Sequence, residues 1–227
     1  MKSRTFNAAI LSVCCLAAAV HPGRAFGAEM APVGAYLATT PEAEIILARS
    51  AAPASISSEA TVLVLSTRGY EVAVRGDNGF VCLVERSWGN DFEHAEFWNT
   101  RVRSPACYNE AAARSVLPRY LTRTTWVMAG VSPVEMARRT QEALARGDIP
   151  PPDDGAMCYM MSVHGYLGDE AGGHWHPHLM FYVPRMEASA WGANLPGSPI
   201  IGGPSGADPT TVFLVPLARW SDGAPAH

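Results

Sequence analysis

Three short apolar runs around one tight turn set the strongest limit on what this chain can fold into. Val62-Leu63-Val64-Leu65 is a continuous run, Tyr70, Val72 and Val74 alternate, and Phe80 to Val84 resumes beyond Gly76-Asp77-Asn78-Gly79. Runs of this length, broken by Gly and Asn, carry the period-2 signature of strands joined by turns. They predict an antiparallel meander over residues 62–84. Ahead of it, Thr40-Pro41-Glu42 has the cap, first-turn proline and acidic start of a helix reaching about Ala52.

The middle of the chain reads differently. Residues 86–108 are irregular and aromatic-rich, and Asn109 then caps an apolar stripe of Ala112, Val116, Leu117, Tyr120, Leu121, Val127 and Met128. Pro118 lies inside that stripe and is expected to kink or divide the helix. Ser132-Pro133-Val134-Glu135 opens a second helix with a capping box, and Gly147 ends it. Ile149 to Asp154 is a proline-rich linker, after which strand patterns return at residues 157–162, 178–183 and 211–217. A short helical turn is expected around Glu187 to Trp191. Strands, two helices, then strands again predict an α+β fold: one mostly antiparallel sheet with the two central helices, near 110–128 and 133–146, packed on one face. Three strands alone make a poor core, so residues 29–227 are read as one domain, with a subdivision at 149–154 as the alternative.

Residues 1–28 are set apart from that domain. Lys2 and Arg4 precede an apolar stretch from Ala8 to Val20, a His-Pro-Gly break follows, and small residues stand at Ala25, Gly27 and Ala28. This is the layout of a secretory signal peptide, too short in its apolar part to span a bilayer. The expectation is cleavage after Ala28, with Ala25 as the second choice, and a periplasmic or secreted protein with no membrane span after cleavage.

Removing Lys2, Arg4 and Arg24 from the 17 basic residues leaves 14 against 21 acidic, a net charge of −7. Such a balance excludes a cationic nucleic-acid surface. Lys2 is the only lysine, so residues 29–227 offer no pyridoxal-phosphate anchor and no phosphate-loop lysine, and neither PLP nor a nucleotide is expected. Cys82, Cys107 and Cys158 remain; in an oxidising compartment two of them pair, and Cys82–Cys107 is the expected bridge, although Cys158 can replace either partner and the sequence does not choose among the three pairings.

The sharpest chemical feature is His174-Trp175-His176-Pro177-His178. On an extended backbone residues two apart share a side, so these imidazoles can converge on Zn²⁺ or Cu²⁺. Pro177 cannot donate to a ladder and puts the segment at a strand start. His164, at the other end of the loop joining the 157–162 and 178–183 strands, is the expected further ligand. Gly168, His174 and His176 share the spacing that opens the cupin metal motif, but Met180 and Phe181 stand where that family places Glu, and no second motif follows. The expected function is therefore an exported metalloprotein, either a metal-dependent hydrolase or a metal-binding protein. The alternative is a non-enzymatic binding or interaction module. It would draw on Trp88, Trp98, Trp175, Trp191, Tyr166 and Tyr182, at least half of which are expected to be buried core, to bind an unknown small molecule or peptide, with Asn194 and Gly197 on the rim. A Cys158–His pair is disfavoured, because a mid-strand thiol among apolar neighbours has a raised pKa.

Overall fold

A computed structural model of the protein describes residues 29–169, 175–204 and 208–226. The described residues form a mixed sheet of eight strands with five helices. The strands are β1 (Thr61–Ser66), β2 (Gly69–Val74), β3 (Val81–Glu85), β4 (Ser104–Tyr108), β5 (Met157–Met160), β6 (His178–Pro184), β7 (Ile201–Pro204) and β8 (Thr210–Pro216). Their order across the sheet is β2-β1-β3-β4-β5-β6-β8-β7, antiparallel throughout except for β1 beside β3. The helices are α1 (Pro41–Arg49), α2 (Ala54–Ser57), α3 (Glu110–Ser115), α4 (Leu117–Met128) and α5 (Pro133–Arg146).

The expected meander over 62–84 is corrected by that one parallel pair. β2 folds back on β1, with Val62 opposite Val74 and Ser66 opposite Gly69, but β3 passes to the far side of β1. The Gly76–Gly79 segment is a crossover rather than a hairpin. Asp77 N–H donates to the Glu59 carbonyl, Thr61 N–H to that of Phe80, and the Asn78 amide to that of Ile56. Gly76 makes the passage sterically feasible: a Cβ there would lie 2.2 Å from the Glu59 carbonyl oxygen. Sequence proximity favoured the hairpin, and the backbone bonds of residues 56–61 outweigh it.

β4 was missed in the irregular stretch 86–108. Every residue of Ser104–Tyr108 is buried, so the strand has no apolar–polar alternation to read. The hairpin of β5 and β6 forms as expected, with Met157 opposite Phe181 and Met160 opposite His178. Cys82 and Cys107, opposite each other on β3 and β4, are joined by a disulfide, and Cys158 is free and buried.

Helices lie on both faces of the sheet, and the expected packing of the two central helices on one face holds only for the first of them, divided into α3 and α4. Ala48 of α1 packs on Val62, Cys82, Val84 and Cys107. On the opposite face, α3 and α4 bring Ala112 and Leu117 against Leu63, Leu83, Ala106, Tyr108 and Cys158. Thr40 and Asn109 cap α1 and α3 as their sequences predict, accepting from the N–H groups of Ala43 and Ala112. Pro118, at the second position of α4, marks the division between α3 and α4. Instead of lying over a row of strands, α5 sends Met136 into a third cluster with Tyr36, Trp88, Phe97 and Val127. A buried ion pair ties the N-terminal segment to this end of the molecule. Arg86 Nη2 lies 2.7 Å from Glu44 Oε2, its Nε donates to the Tyr36 carbonyl, and Glu44 Oε1 accepts from Leu65 N–H. No described helix is long and apolar enough to cross a membrane.

Candidate functional site

Among the described residues the expected metal site does not assemble. His174 lies outside the described residues. His164 and His176 are exposed, while His178 is buried, its ring edge-on to Trp175 at 5.4 Å between centroids. His178 Nδ1 sits 2.8 Å from the His176 carbonyl oxygen, and burial lowers its pKa, keeping the imidazole neutral. Among the described residues, no group of three or more His, Cys, Asp and Glu is placed to hold a metal ion. The spacing argument required a strand through His176, and β6 begins only at His178. Without extended pairing at residues 176–177, residues two apart need not share a side.

Of the six aromatics considered for a binding surface, three are buried and three are half-buried. Trp88 is fully buried and donates to Thr124 Oγ1 at 2.9 Å, Trp175 is buried and donates to the Ser162 carbonyl, and Tyr182 is in the core. Trp191 stacks on Phe213 at 4.6 Å, Trp98 packs edge-on to Phe97, and Tyr166 lies beneath the Arg101 guanidinium. Asn194 is no ligand rim. Its side-chain amide donates to the Gly202 carbonyl and accepts from Gly202 N–H, which satisfies β7 where a further strand would pair. Gly197 lies in the same exposed turn.

A different set of groups converges at the C-terminal end of β3. Leu83 and Glu85 alternate onto the face covered by α4, where the neighbouring strand contributes Ala106 and Tyr108. The Tyr108 phenol donates to Glu85 Oε1. Around this pair are Tyr120 of α4, whose oxygen accepts from Arg86 N–H at 2.7 Å, and Tyr70 of β2, 3.2 Å from the Tyr120 oxygen. Tyr182 stacks on Tyr108 at 6.1 Å, and its hydroxyl lies 3.3 Å from Cys158 Sγ. Burial pushes the Cys158 thiol up to about 12, so it is an inert member of this row, as its mid-strand position predicts.

Burial also pushes the Glu85 carboxyl up to about 7, with the Tyr108 hydrogen bond and the charge of Arg123 opposing it. Among the described residues no donor reaches Glu85 Oε2, and that oxygen is not one of the fully buried orphan atoms, so it meets solvent. The loop after β3 passes beside it. A Cβ on Gly89 would lie 3.6 Å from both Glu85 Oε2 and the Tyr120 ring; the glycine leaves this approach open. Arg123 Nη1 fastens the loop, donating to the carbonyls of Trp88, Gly89 and Asn90 at 2.9, 3.4 and 2.8 Å.

This arrangement was nearly invisible in the sequence. Tyr70, Tyr108, Tyr120 and Tyr182 are scattered through more than a hundred positions. The one local signal was phase, since Glu85 continues the inward alternation of Val81 and Leu83 and so places a carboxyl where the strand pattern demands an apolar residue. Comparison with known proteins adds no name to the site: no family model, no curated protein and no solved structure matches the chain.

Proposed function

We propose that the chain is an exported enzyme of the general acid–base class, which passes a proton to or from a small molecule at Glu85. The observation carrying this reading is the asymmetry of that carboxyl: one oxygen is engaged by the Tyr108 phenol and the other is left to solvent beside Gly89. A carboxyl that titrates near neutrality is present in both protonation states, which is what acid–base work demands. The second oxygen supplies the reach to a substrate proton that geometry requires first. The leader-like residues 1–28 and the Cys82–Cys107 disulfide support action outside the cytoplasm, in the periplasm or medium.

Carbodiimide activation tests the site without a known substrate, because it consumes protonated, accessible carboxyls. With glycinamide as the trapping amine at about pH 7, peptide mapping should find Glu85 modified ahead of the exposed Glu42 and Glu59. A ¹³C-detected titration of the Glu85 carboxyl should have its midpoint near 7. A carboxyl that stays unmodified while Glu42 and Glu59 react would leave Glu85 a sealed structural group and end the proposal.

A further inference from the structure

Arg123 supplies a second unpaired group at the same place. It is half-buried on α4, three positions after Tyr120, and among the described residues it forms no ion pair. Its Nη1 is taken by the three loop carbonyls, but Nε and Nη2 have no acceptor and are not fully buried. Its guanidinium also lies 4.2 Å over the Phe92 ring. Burial and the neighbouring Arg119 work against its charge, while Tyr120, Asp91 and Glu85 favour it, and the balance leaves its pKa lowered. Arg119 is ion-paired with Asp208, whereas Arg123, one turn on, has no anion at ion-pair distance among the described residues and only the longer-range charges of Asp91 and Glu85 in its favour.

Gly89 is the common neighbour of both groups. Its carbonyl accepts from Arg123 Nη1 at 3.4 Å, and a Cβ added to it would touch Glu85 Oε2. The same loop holds Ser87 Oγ and Asn90 Nδ2, two of the three buried side-chain polar atoms without a partner among the described residues. We propose that this juncture binds a small carboxylate, paired with the free edge of the Arg123 guanidinium and hydrogen-bonded by the protonated Glu85 carboxyl. The proposal rests on the acid–base reading of Glu85 and names its substrate class. A guanidinium edge matches two carboxylate oxygens in its plane. A protonated carboxyl can donate to a carboxylate, while an ionised one repels it.

Binding is therefore linked to pH through Glu85. The groups facing that carboxyl are Tyr108 from β4, Tyr182 from β6 with Cys158 from β5 behind it, Tyr120 and Arg123 from α4, and Tyr70 and Arg86 at the β2 side. The phenols and the thiol have pKa values raised by burial, and Arg86 is committed to Glu44. None of them changes charge near neutrality, so Glu85 sets the dependence.

Acetate is the probe, followed on the full chain by the Gly89 amide and Arg123 Nε–H resonances, with phosphate in a parallel titration. Saturable shifts are expected, with affinity for acetate falling about tenfold between about pH 6 and about pH 8 as the protonated fraction of Glu85 falls by that factor. Arg123→Gln should abolish saturation. Glu85→Gln should keep it and lose the pH dependence, because the amide donates at every pH. Unchanged saturation in Arg123→Gln, or none in the wild type, overturns the inference, as does phosphate binding with acetate inert. The carbodiimide result on Glu85 is independent of all these outcomes. A labelled Glu85 with no acetate binding sinks only the ligand assignment, and an unlabelled Glu85 sinks the acid–base reading beneath it.

Discussion

Glu85 carries a cost that can be measured without any ligand. Its carboxyl titrates near 4.5 in an unfolded chain and near 7 when folded, so between those values the folded state holds a proton that the unfolded state has lost. Stability must then fall as pH rises through that window, by at most about 3 kcal/mol in total. Glu85→Gln keeps an acceptor for Tyr108 and has nothing to ionise. Urea melts of the variant should show a flatter pH profile and, at about pH 8, a higher midpoint than the wild type. A wild-type midpoint that does not decline between about pH 5 and about pH 8 would contradict the raised pKa. The Arg86–Glu44 pair is different in kind. Arg86 also satisfies the carbonyls of Tyr36 and Val84, so it fastens the N-terminal segment and has no spare edge for a ligand.

Among the elements, the crossover between β2 and β3 is where local pattern and tertiary structure part. Gly76 passes against the backbone of residues 59–61, and the Asn78 side chain bonds both Ile56 and Phe80. A side chain at 76 must push that backbone away, and β1 pairs with β3 only over Thr61–Val81 and Val62–Cys82. Gly76→Ala should therefore cost about 1–3 kcal/mol, the range for overpacking a close contact, read as a lower urea midpoint. Hydrogen exchange should place the new weakness at Thr61. A substitution within about 0.5 kcal/mol of neutral would show that the crossover has slack. At the far edge of the sheet, the Asn194 amide bonded to Gly202 occupies the position of a ninth strand. Capping a four-residue edge with a side chain protects it from pairing with another chain.

For the whole molecule, the disulfide is the covalent anchor between two central strands. It closes a separation of 25 residues, worth about 3 kcal/mol in the chain-entropy account. Thiol counting on the denatured, unreduced chain that begins near Glu29 should find one reactive group, Cys158. The native protein should show almost none, since that thiol is buried. Three thiols would remove both the bridge and the argument for an oxidising compartment. Intact mass of secreted material is expected to match a start near Glu29, and a retained Met1 in soluble periplasmic protein would refute the leader.

How much was legible follows from the range of the forces involved. Caps at Thr40, Asn109 and Ser132, the break at Pro118 and the β5–β6 hairpin were readable, because each depends on neighbours close in the chain, whereas the choice of Cys82 and Cys107 over Cys158 needed the register of β3 on β4. β4 was not readable, because a strand buried on both faces has no alternation. The parallel placement of β3 also escaped, because it depends on how residues 56–61 meet residues 76–80. The histidines looked convergent because their spacing assumes extended backbone ahead of His178, the residue at which β6 begins. The sequence by itself determined the longer helices, six of the eight strand-forming segments and the α+β class, and it narrowed the disulfide to three cysteines. Only the tertiary structure decided which strands adjoin, that helices cover both faces, and that Glu85, Tyr108, Tyr120 and Arg123 meet at one loop. Hydrophobic periodicity and capping act along the chain, whereas a carboxyl's burial and partners are set by side chains far from it in sequence.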